Sequence, residues 1–182
     1  GKLKGLKLVY VGDGRNNVAN SLMVGCAKAG MNYVNCAPPE LMPLPELVRD
    51  AETIAARNKC TISILNDPGA AVVGANVIYT DVWVSMGEEA KFSERLRLLR
   101  PYQVNMGMMK KTGNLEKKKV IFLHCLPAFH DKNTEVTSDI GALEVTDDVF
   151  EAPFSKVFDE AENRVHTIKA LFVAALGSRR KK

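Results

Sequence analysis

The stretch "LKLVYVGDGRNNVANSLMVGCAKAG" (Leu6–Gly30) indicates the fold class of this 182-residue chain. Its first seven residues form a β-rich run, which predicts a strand ending at Gly12. The apolar spacing from Asn16 onward is that of an amphipathic helix, and Gly30 is a typical helix terminator. A strand, a glycine-containing turn and a helix together form the repeating unit of an α/β protein.

The same alternation continues along the chain. Further strands are predicted at residues 32–38, 61–67, 76–83 and 118–125, and helices at 44–58, 68–75, 88–99, 105–113 and 158–176. Nearly continuous apolar runs at Val9–Val11, Val77–Tyr79 and Val120–Leu123 indicate strands buried on both faces. The sequence therefore predicts a doubly wound, mostly parallel five-stranded sheet with helices on both faces. We expect a Rossmann-like α/β domain at residues 1–157, a long C-terminal helix at 158–176 and a basic tail at 177–182.

Composition excludes several functional classes. The hydrophobic fraction of 46% and the net charge of +4 are those of an ordinary globular protein. No apolar run reaches the roughly 18 residues of a membrane span, and aromatic residues do not alternate with basic ones as in nucleic-acid binders. The four cysteines are scattered without a CxxC pair, which favours reduced thiols and a cytoplasmic location. We therefore expect neither a membrane nor a nucleic-acid partner.

Ligands of doubly wound sheets bind beyond the carboxyl ends of the strands, so the strand ends are the places to search. The first strand ends in "GDGRNNVANS" (Gly12–Ser21). Its glycines allow close approach of a ligand, and the helix that follows offers free N–H groups to an anion. Asn17 occupies the third glycine position of a dinucleotide loop, which disfavours a nicotinamide cofactor. Asparagines here suit a carboxylate ligand, although Asn16 or Asn17 could instead be a simple helix cap.

The fourth strand ends in "TDVWVSMGEE" (Thr80–Glu89), with Asp81 at the expected ligand edge. The "SMG" triplet (Ser85–Gly87) combines a small polar residue, a flexible apolar residue and glycine, as in mobile loops. The alternative for Asp81 is a solvated aspartate that caps a turn.

The fifth strand ends in "HCLPAFH", which contains His124, Cys125 and His130. A zinc site would need a fourth ligand, and adjacent His124 and Cys125 point to opposite sides of an extended chain. We therefore predict no metal site, and Cys125 could also be a buried, inert thiol. On the last predicted helix, Arg164 could bind a phosphate or a carboxylate, or form a surface salt bridge with Glu160.

Four segments taken in order resemble the C-terminal, ornithine-binding half of ornithine carbamoyltransferases. They are "GDGRNN", "DVWVSMGEE", "FLHCLPAFH" and "FDEAENRVHTIKAL", and the likeness extends from about Leu3 to Leu176. The resemblance implies transfer of a carbamoyl group from carbamoyl phosphate to the δ-amine of L-ornithine, giving citrulline and phosphate. It implies no cofactor.

For ornithine, the resemblance implies that Asn17 and the backbone N–H of Met86 hold the α-carboxylate. Asp81 and Ser85 would hold the α-amino group, and Cys125 would lie close to the δ-nitrogen. Asp81 and Cys125 are therefore the expected catalytic residues.

For carbamoyl phosphate, the resemblance implies that the backbone around Cys125 and Leu126 orients the carbamoyl group. Arg164 would reach the same substrate from the last helix. The loop Ser85–Gly87 is expected to close over ornithine after carbamoyl phosphate has bound.

The motifs by which the family's first half binds carbamoyl phosphate, Ser-x-Arg-Thr and His-Pro, do not occur in this chain. We therefore expect an N-terminal carbamoyl phosphate domain as a partner, with residues 158–176 packed back on it. The complete enzyme would be a homotrimer or a larger assembly, and this chain alone would be inactive. Two alternatives remain: a non-catalytic amino-acid-binding or assembly module, and a nicotinamide dehydrogenase.

Overall fold

The computed structural model of the chain describes residues 2–84 and 91–177. Five parallel strands form one sheet in the order β3-β2-β1-β4-β5. They are β1 (Lys7–Val11), β2 (Asn32–Cys36), β3 (Ile62–Leu65), β4 (Val77–Thr80) and β5 (Ile121–His124). The predicted five-stranded parallel sheet is confirmed, with every strand inside its predicted range.

The helices also follow the predicted order. They are α1 (Asn17–Ala29), α2 (Pro45–Asn58), α3 (Pro68–Ala71), α4 (Phe92–Leu99), α5 (Met106–Lys111), α6 (Asp147–Phe150) and α7 (Val157–Leu176). The short helix α6 was not predicted. The first residues of the predicted helix 88–99 lie outside the described residues.

Side chains of each central strand alternate between two cores, because successive residues of a strand point to opposite faces. On β1, Leu8 and Tyr10 pack with residues of α1 and α2 such as Met23. Val9 and Val11 pack with α3, α5 and α6 on the other face. Helices therefore cover both faces of the sheet, as predicted.

The outer strand β5 differs from the prediction of a strand buried on both faces. Phe122 and His124 are buried, but Ile121 and Leu123 are only partly buried because β5 lies at the edge of the sheet. Residues 154–156 run along this edge: the N–H of Phe122 donates to the carbonyl of Phe154 at 3.1 Å, and the N–H of Lys156 donates to the carbonyl of Phe122 at 2.9 Å. This pairing brings the start of α7 next to β5.

Helix α7 projects from the domain after its first turns. Val157 is buried, whereas every described residue from Ala161 to Gly177 is exposed. The exposed residues include large apolar side chains: Val165, Ile168, Leu171, Phe172, Val173 and Leu176. Within the described residues, no helix is long and apolar enough to cross a membrane.

Candidate functional site

The carboxyl ends of β4 and β5 bring Asp81 and Cys125 together. The strand register pairs Thr80 with His124, so the next residue of each strand lies side by side. The thiol of Cys125 donates a hydrogen bond to Asp81 Oδ1 at 3.0 Å, and the N–H of Val82 donates to the same oxygen at 2.8 Å. Asp81 is only 7% exposed, so it is not a solvated turn cap.

The surroundings of Cys125 keep its thiol protonated at neutral pH. Burial raises its pKa to about 12, helped by the hydrogen bond to Asp81 and by the negative charges of Asp81 and Glu160. The thiolate is the nucleophilic form of cysteine, so this environment opposes a role as a covalent nucleophile. The thiol is half-buried and hydrogen-bonded to a carboxylate, which distinguishes it from an inert core cysteine.

His124 points to the opposite side of β5, as the alternation of an extended chain requires. The N–H of Leu126 donates to His124 Nδ1 at 2.9 Å, so the ring proton is on Nε2. Nε2 lies 3.2 Å from Glu144 Oε1 without the geometry of a hydrogen bond, and both side chains are completely buried. Leu126 has a φ of 55° and precedes a cis peptide bond to Pro127. His124 therefore holds the backbone just after Cys125 in an unusual conformation.

Glu144 supports the same loop and was missed in the sequence. Its Oε1 accepts a hydrogen bond from the N–H of Phe129 at 2.6 Å. Its Oε2 is buried without a hydrogen-bond partner among the described residues. The only sequence signal was a single acid between the apolar residues Leu143 and Val145, which both lie in the core.

His130, the third residue considered for zinc, pairs with another carboxylate. Its Nδ1 lies 2.8 Å from Asp147 Oδ1, and its ring stacks on Phe150 with centroids 3.8 Å apart. His124, Cys125 and His130 thus contact three different carboxylates and form no common metal centre. Among the described residues, His130, Asp147 and Glu151 are the group whose side chains could hold a cation, since their ligand atoms lie within 4.8 Å of one another.

The two asparagines after β1, Asn16 and Asn17, differ in their contacts. Asn16 caps α1 by accepting a hydrogen bond from the N–H of Val18 at 2.7 Å. Asn17 is the first residue of α1 and is exposed at the carboxyl edge of the sheet. The simple cap is therefore Asn16, and Asn17 is available to a ligand.

Gly14 is required for packing within the chain itself. A Cβ at this position would collide with Asn35 Oδ1 and would lie 2.7 Å from the carbonyl oxygen of Leu41. Asn35 is completely buried and donates to the carbonyl of Gly14 at 3.1 Å. The sequence had suggested that the glycines of this loop admit a ligand, but at Gly14 the space is taken by β2 and the segment after it.

The loop after β1 is also tied to α4. Arg95 Nη1 lies 2.6 Å from Asp13 Oδ2, and both side chains are largely buried. Between this loop and α4 lies an open cleft of about 260 Å³ that Arg15, Glu40 and Glu94 help to line. This cleft of mixed charge was not predicted from the sequence.

Comparison with known proteins assigns the chain to a family. Residues 4–175 match the family model described as "Aspartate/ornithine carbamoyltransferase, Asp/Orn binding domain". The chain belongs to this carbamoyltransferase family.

The relatives are named as ornithine carbamoyltransferases. The chain is 56% identical over 183 residues to the catabolic ornithine carbamoyltransferase of Bacillus licheniformis. The alignment covers 97% of this chain and 54% of that protein. It is 58% identical to the ornithine carbamoyltransferase of Pseudothermotoga lettingae, of which it covers 52%. The solved ornithine carbamoyltransferase of Pyrococcus furiosus superposes with a TM-score of 0.85 at 42% identity, covering 98% of this chain and 52% of that one. The chain thus spans about half the length of the relatives it matches.

In this carbamoyltransferase domain, the segment after Asp81 begins with a buried tryptophan. Trp83 is 2% exposed and packs with Leu41, Leu99 and Leu143. Its indole N–H is buried without a partner among the described residues. The predicted ligands Ser85 and Met86 lie outside the described residues.

Arg164 lies on the exposed part of α7. Among the described residues it forms no salt bridge with Glu160, so the predicted alternative for this arginine is absent. Glu160 instead accepts a hydrogen bond from the hydroxyl of Tyr79 at 2.6 Å. No described hydrogen bond or ion pair joins Arg164 to the Asp81–Cys125 pair.

Proposed function

We propose that the chain is the ornithine-binding part of an ornithine carbamoyltransferase, which transfers the carbamoyl group of carbamoyl phosphate to the δ-amine of L-ornithine. The contact between Cys125 and Asp81 carries this proposal. It puts a carboxylate and a thiol together at the strand edge where doubly wound sheets bind ligands. A family model for an Asp/Orn binding domain and relatives with this activity in their names support it.

Carbamoyl transfer requires a neutral amine. A new bond forms between the δ-nitrogen and the carbonyl carbon, the bond from that carbon to the phosphate oxygen breaks, and phosphate leaves as hydrogen phosphate with the proton that the attacking amine loses. A free alkyl ammonium titrates near 10.4, so using the wrong protonation state at neutral pH would cost roughly 4 to 5 kcal/mol of barrier. The site must therefore accept a proton from the ammonium form and hold the amine in line.

Asp81 and Cys125 suit this task in different ways. Because the thiol is protonated at neutral pH and donates to Asp81, Cys125 presents its sulfur to the amine as a hydrogen-bonding and positioning group. Asp81 supplies the negative charge. In this proposal Asn17 at the start of α1 and Met86 take the α-carboxylate, and Asp81 with Ser85 takes the α-amino group.

Replacement of Cys125 tests the proposed site. In an enzyme that joins this domain to a carbamoyl phosphate-binding half, Cys125→Ala should raise the KM for ornithine or lower kcat. It should leave the affinity for carbamoyl phosphate nearly unchanged. Steady-state kinetics equal to those of the wild type would refute the role.

The proposed enzyme also needs a second substrate, a second half and further subunits. Arg164 and the backbone of Leu126 would bind carbamoyl phosphate, which a separate N-terminal half would hold from the other side. That half would cover the exposed apolar face of α7, and complete subunits would assemble as a cytoplasmic homotrimer or a larger oligomer. A mixture of this chain with a carbamoyl phosphate-binding half should form citrulline.

The chain by itself provides the complementary measurement. Much of the transition-state charge is on the phosphate, and apart from Arg164 and the backbone of Leu126 the groups proposed to stabilise it belong to the other half. We expect calorimetry to detect L-ornithine binding to the 182-residue chain and expect no citrulline formation. Rapid turnover by the purified chain would contradict the proposal that the other half is needed for catalysis. Failure to bind ornithine would favour a purely structural module.

A further inference from the structure

Glu160 is the last residue by which α7 is attached to the sheet. The segment 154–156 pairs with the edge of β5, and Val157 is buried at the start of the helix. Glu160 is partly buried, whereas every described residue from Ala161 onward is exposed. Glu160 is therefore the described attachment that lies nearest to the exposed part of the helix.

Tyr79, on the strand β4 next to the edge strand β5, holds Glu160 by a hydrogen bond. The Tyr79 hydroxyl donates to Glu160 Oε1 at 2.6 Å, the short distance expected when the acceptor carries a charge. Tyr79 is 4% exposed and lies in β4, two residues before Asp81. Its ring is also packed near Tyr10, with centroids 6.3 Å apart. The hydrogen bond thus joins α7 to the strand that carries Asp81.

Arg164 lies one helical turn beyond this attachment. Residues four apart occupy the same face of a helix, about 6 Å apart along its axis. Glu160 bonds to Tyr79, and no salt bridge to Arg164 is present among the described residues. The Glu160 carboxylate therefore fixes the helix instead of neutralising the arginine.

We propose that Glu160 is a positioning residue: by accepting the hydrogen bond of Tyr79 it fixes the first turns of α7 and sets the place of Arg164 relative to the Asp81–Cys125 pair. This inference rests on the proposed function, in which Arg164 binds carbamoyl phosphate. Glu160 touches no reacting atom in this role. Its effect is transmitted through the direction of α7.

A second role for Glu160 must be separated from the first. Its negative charge lies close enough to Cys125 to contribute to the raised pKa of that thiol. Glu160 could then act on the ornithine amine by charge, without any role of Tyr79. Glu160→Gln distinguishes the two roles, because its amide oxygen still accepts the tyrosine hydrogen bond but carries no charge.

The experiment uses an enzyme that joins this domain to a carbamoyl phosphate-binding half. The variants are Glu160→Ala, Glu160→Gln, Tyr79→Phe, the double variant Tyr79→Phe/Glu160→Ala, and Arg164→Ala as a reference. Glu162→Ala is the matched control, because it removes a neighbouring exposed acid of α7. The KM values for carbamoyl phosphate and for ornithine are measured separately at saturating concentration of the other substrate.

We expect Glu160→Ala and Tyr79→Phe each to raise the KM for carbamoyl phosphate about tenfold, the effect of losing one hydrogen bond to a charged group. The KM for ornithine should change less than twofold. Glu160→Gln and Glu162→Ala should remain within twofold of the wild type, and the double variant should be no worse than either single variant.

Three results would overturn the inference: an unchanged KM for carbamoyl phosphate in Glu160→Ala, equal rises in both KM values, or a Glu160→Gln variant as impaired as Glu160→Ala. If Glu160→Ala does not fold, Tyr79→Phe still tests the attachment, because it removes a single oxygen atom. Failure of the proposed function gives a different pattern: the wild-type enzyme makes no citrulline, or Arg164→Ala leaves the KM for carbamoyl phosphate unchanged.

Discussion

His124 and Cys125 are neighbours at the end of β5, yet their side chains meet carboxylates in opposite environments. Cys125 donates to Asp81 at the half-buried carboxyl edge of the sheet, where a ligand could reach it. His124 faces Glu144 on the other side, and both of these side chains have no solvent exposure. The Asp81–Cys125 pair can therefore serve binding and chemistry, whereas the His124–Glu144 pair supports the backbone of Leu126 that follows.

This comparison predicts that Glu144 matters more for stability than any other residue of the two pairs. Glu144→Ala should lower the free energy of unfolding by about 3 to 5 kcal/mol, because it removes the acceptor of Phe129 N–H and leaves the buried His124 ring without the carboxylate that faces it. Urea denaturation measures the loss, with the exposed Glu135→Ala as control. A loss as small as that of the control would show that the pair does not support the loop.

Asp81, in contrast to Glu144, should matter more for activity than for stability. In an enzyme with both halves, Asp81→Asn should reduce kcat/KM for ornithine by about 10²- to 10³-fold, the usual contribution of a group that handles a proton. Its stability should fall by less than about 1 kcal/mol, because the amide oxygen can still accept from Val82 N–H. The exposed Asp50→Asn is the control. An equal loss of stability in Asp81→Asn and Glu144→Ala would remove the distinction between the two pairs.

The alkylation rate of the Cys125 thiol should change by a smaller factor than the activity, and it reports on the Asp81–Cys125 pair directly. Its pKa of about 12 means that little thiolate exists at pH 8, and the reactive fraction should grow as the pH rises toward that value. Asp81→Asn removes the negative charge and replaces a charged acceptor of the thiol hydrogen bond with a neutral one, so the pKa of Cys125 should fall and alkylation at pH 8 should accelerate about tenfold for each pKa unit. Mass spectrometry follows the modification. Cys36, whose pKa is raised mainly by burial, is the internal control, and its rate should not change.

The smallest effect is expected on α7. Leu171 is 68% exposed, so Leu171→Lys should change the free energy of unfolding of this chain by no more than about 0.5 kcal/mol. Leu99→Lys is the contrasting variant, because Leu99 is completely buried and its replacement should prevent stable folding. The same Leu171→Lys change should weaken association with a carbamoyl phosphate-binding half if that half covers α7.

The sequence predicted one of the two pairs and not the other for a physical reason. Parallel strands end at a common edge, so the strand assignments placed Asp81 and Cys125 at the same edge of the sheet, and the family resemblance implied that both serve the ornithine site. Glu144 lies in a loop far along the chain, and no periodicity indicates that a single acid will be buried against His124. Likewise, helical spacing offered a Glu160–Arg164 salt bridge as the alternative role of this arginine, but Glu160 makes a tertiary contact with Tyr79 instead. Local patterns predict elements and their edges, whereas contacts between distant segments require the fold.

Trp83 also makes this chain an optical probe of its own binding site. It is the only tryptophan in the sequence, it is 2% exposed, and it lies two residues after Asp81. Its emission therefore comes from a single place next to the proposed ornithine site. Ornithine added to the unlabelled chain should change the intensity or wavelength of that emission, so that titration and stopped-flow measurements need no dye and no coupled assay.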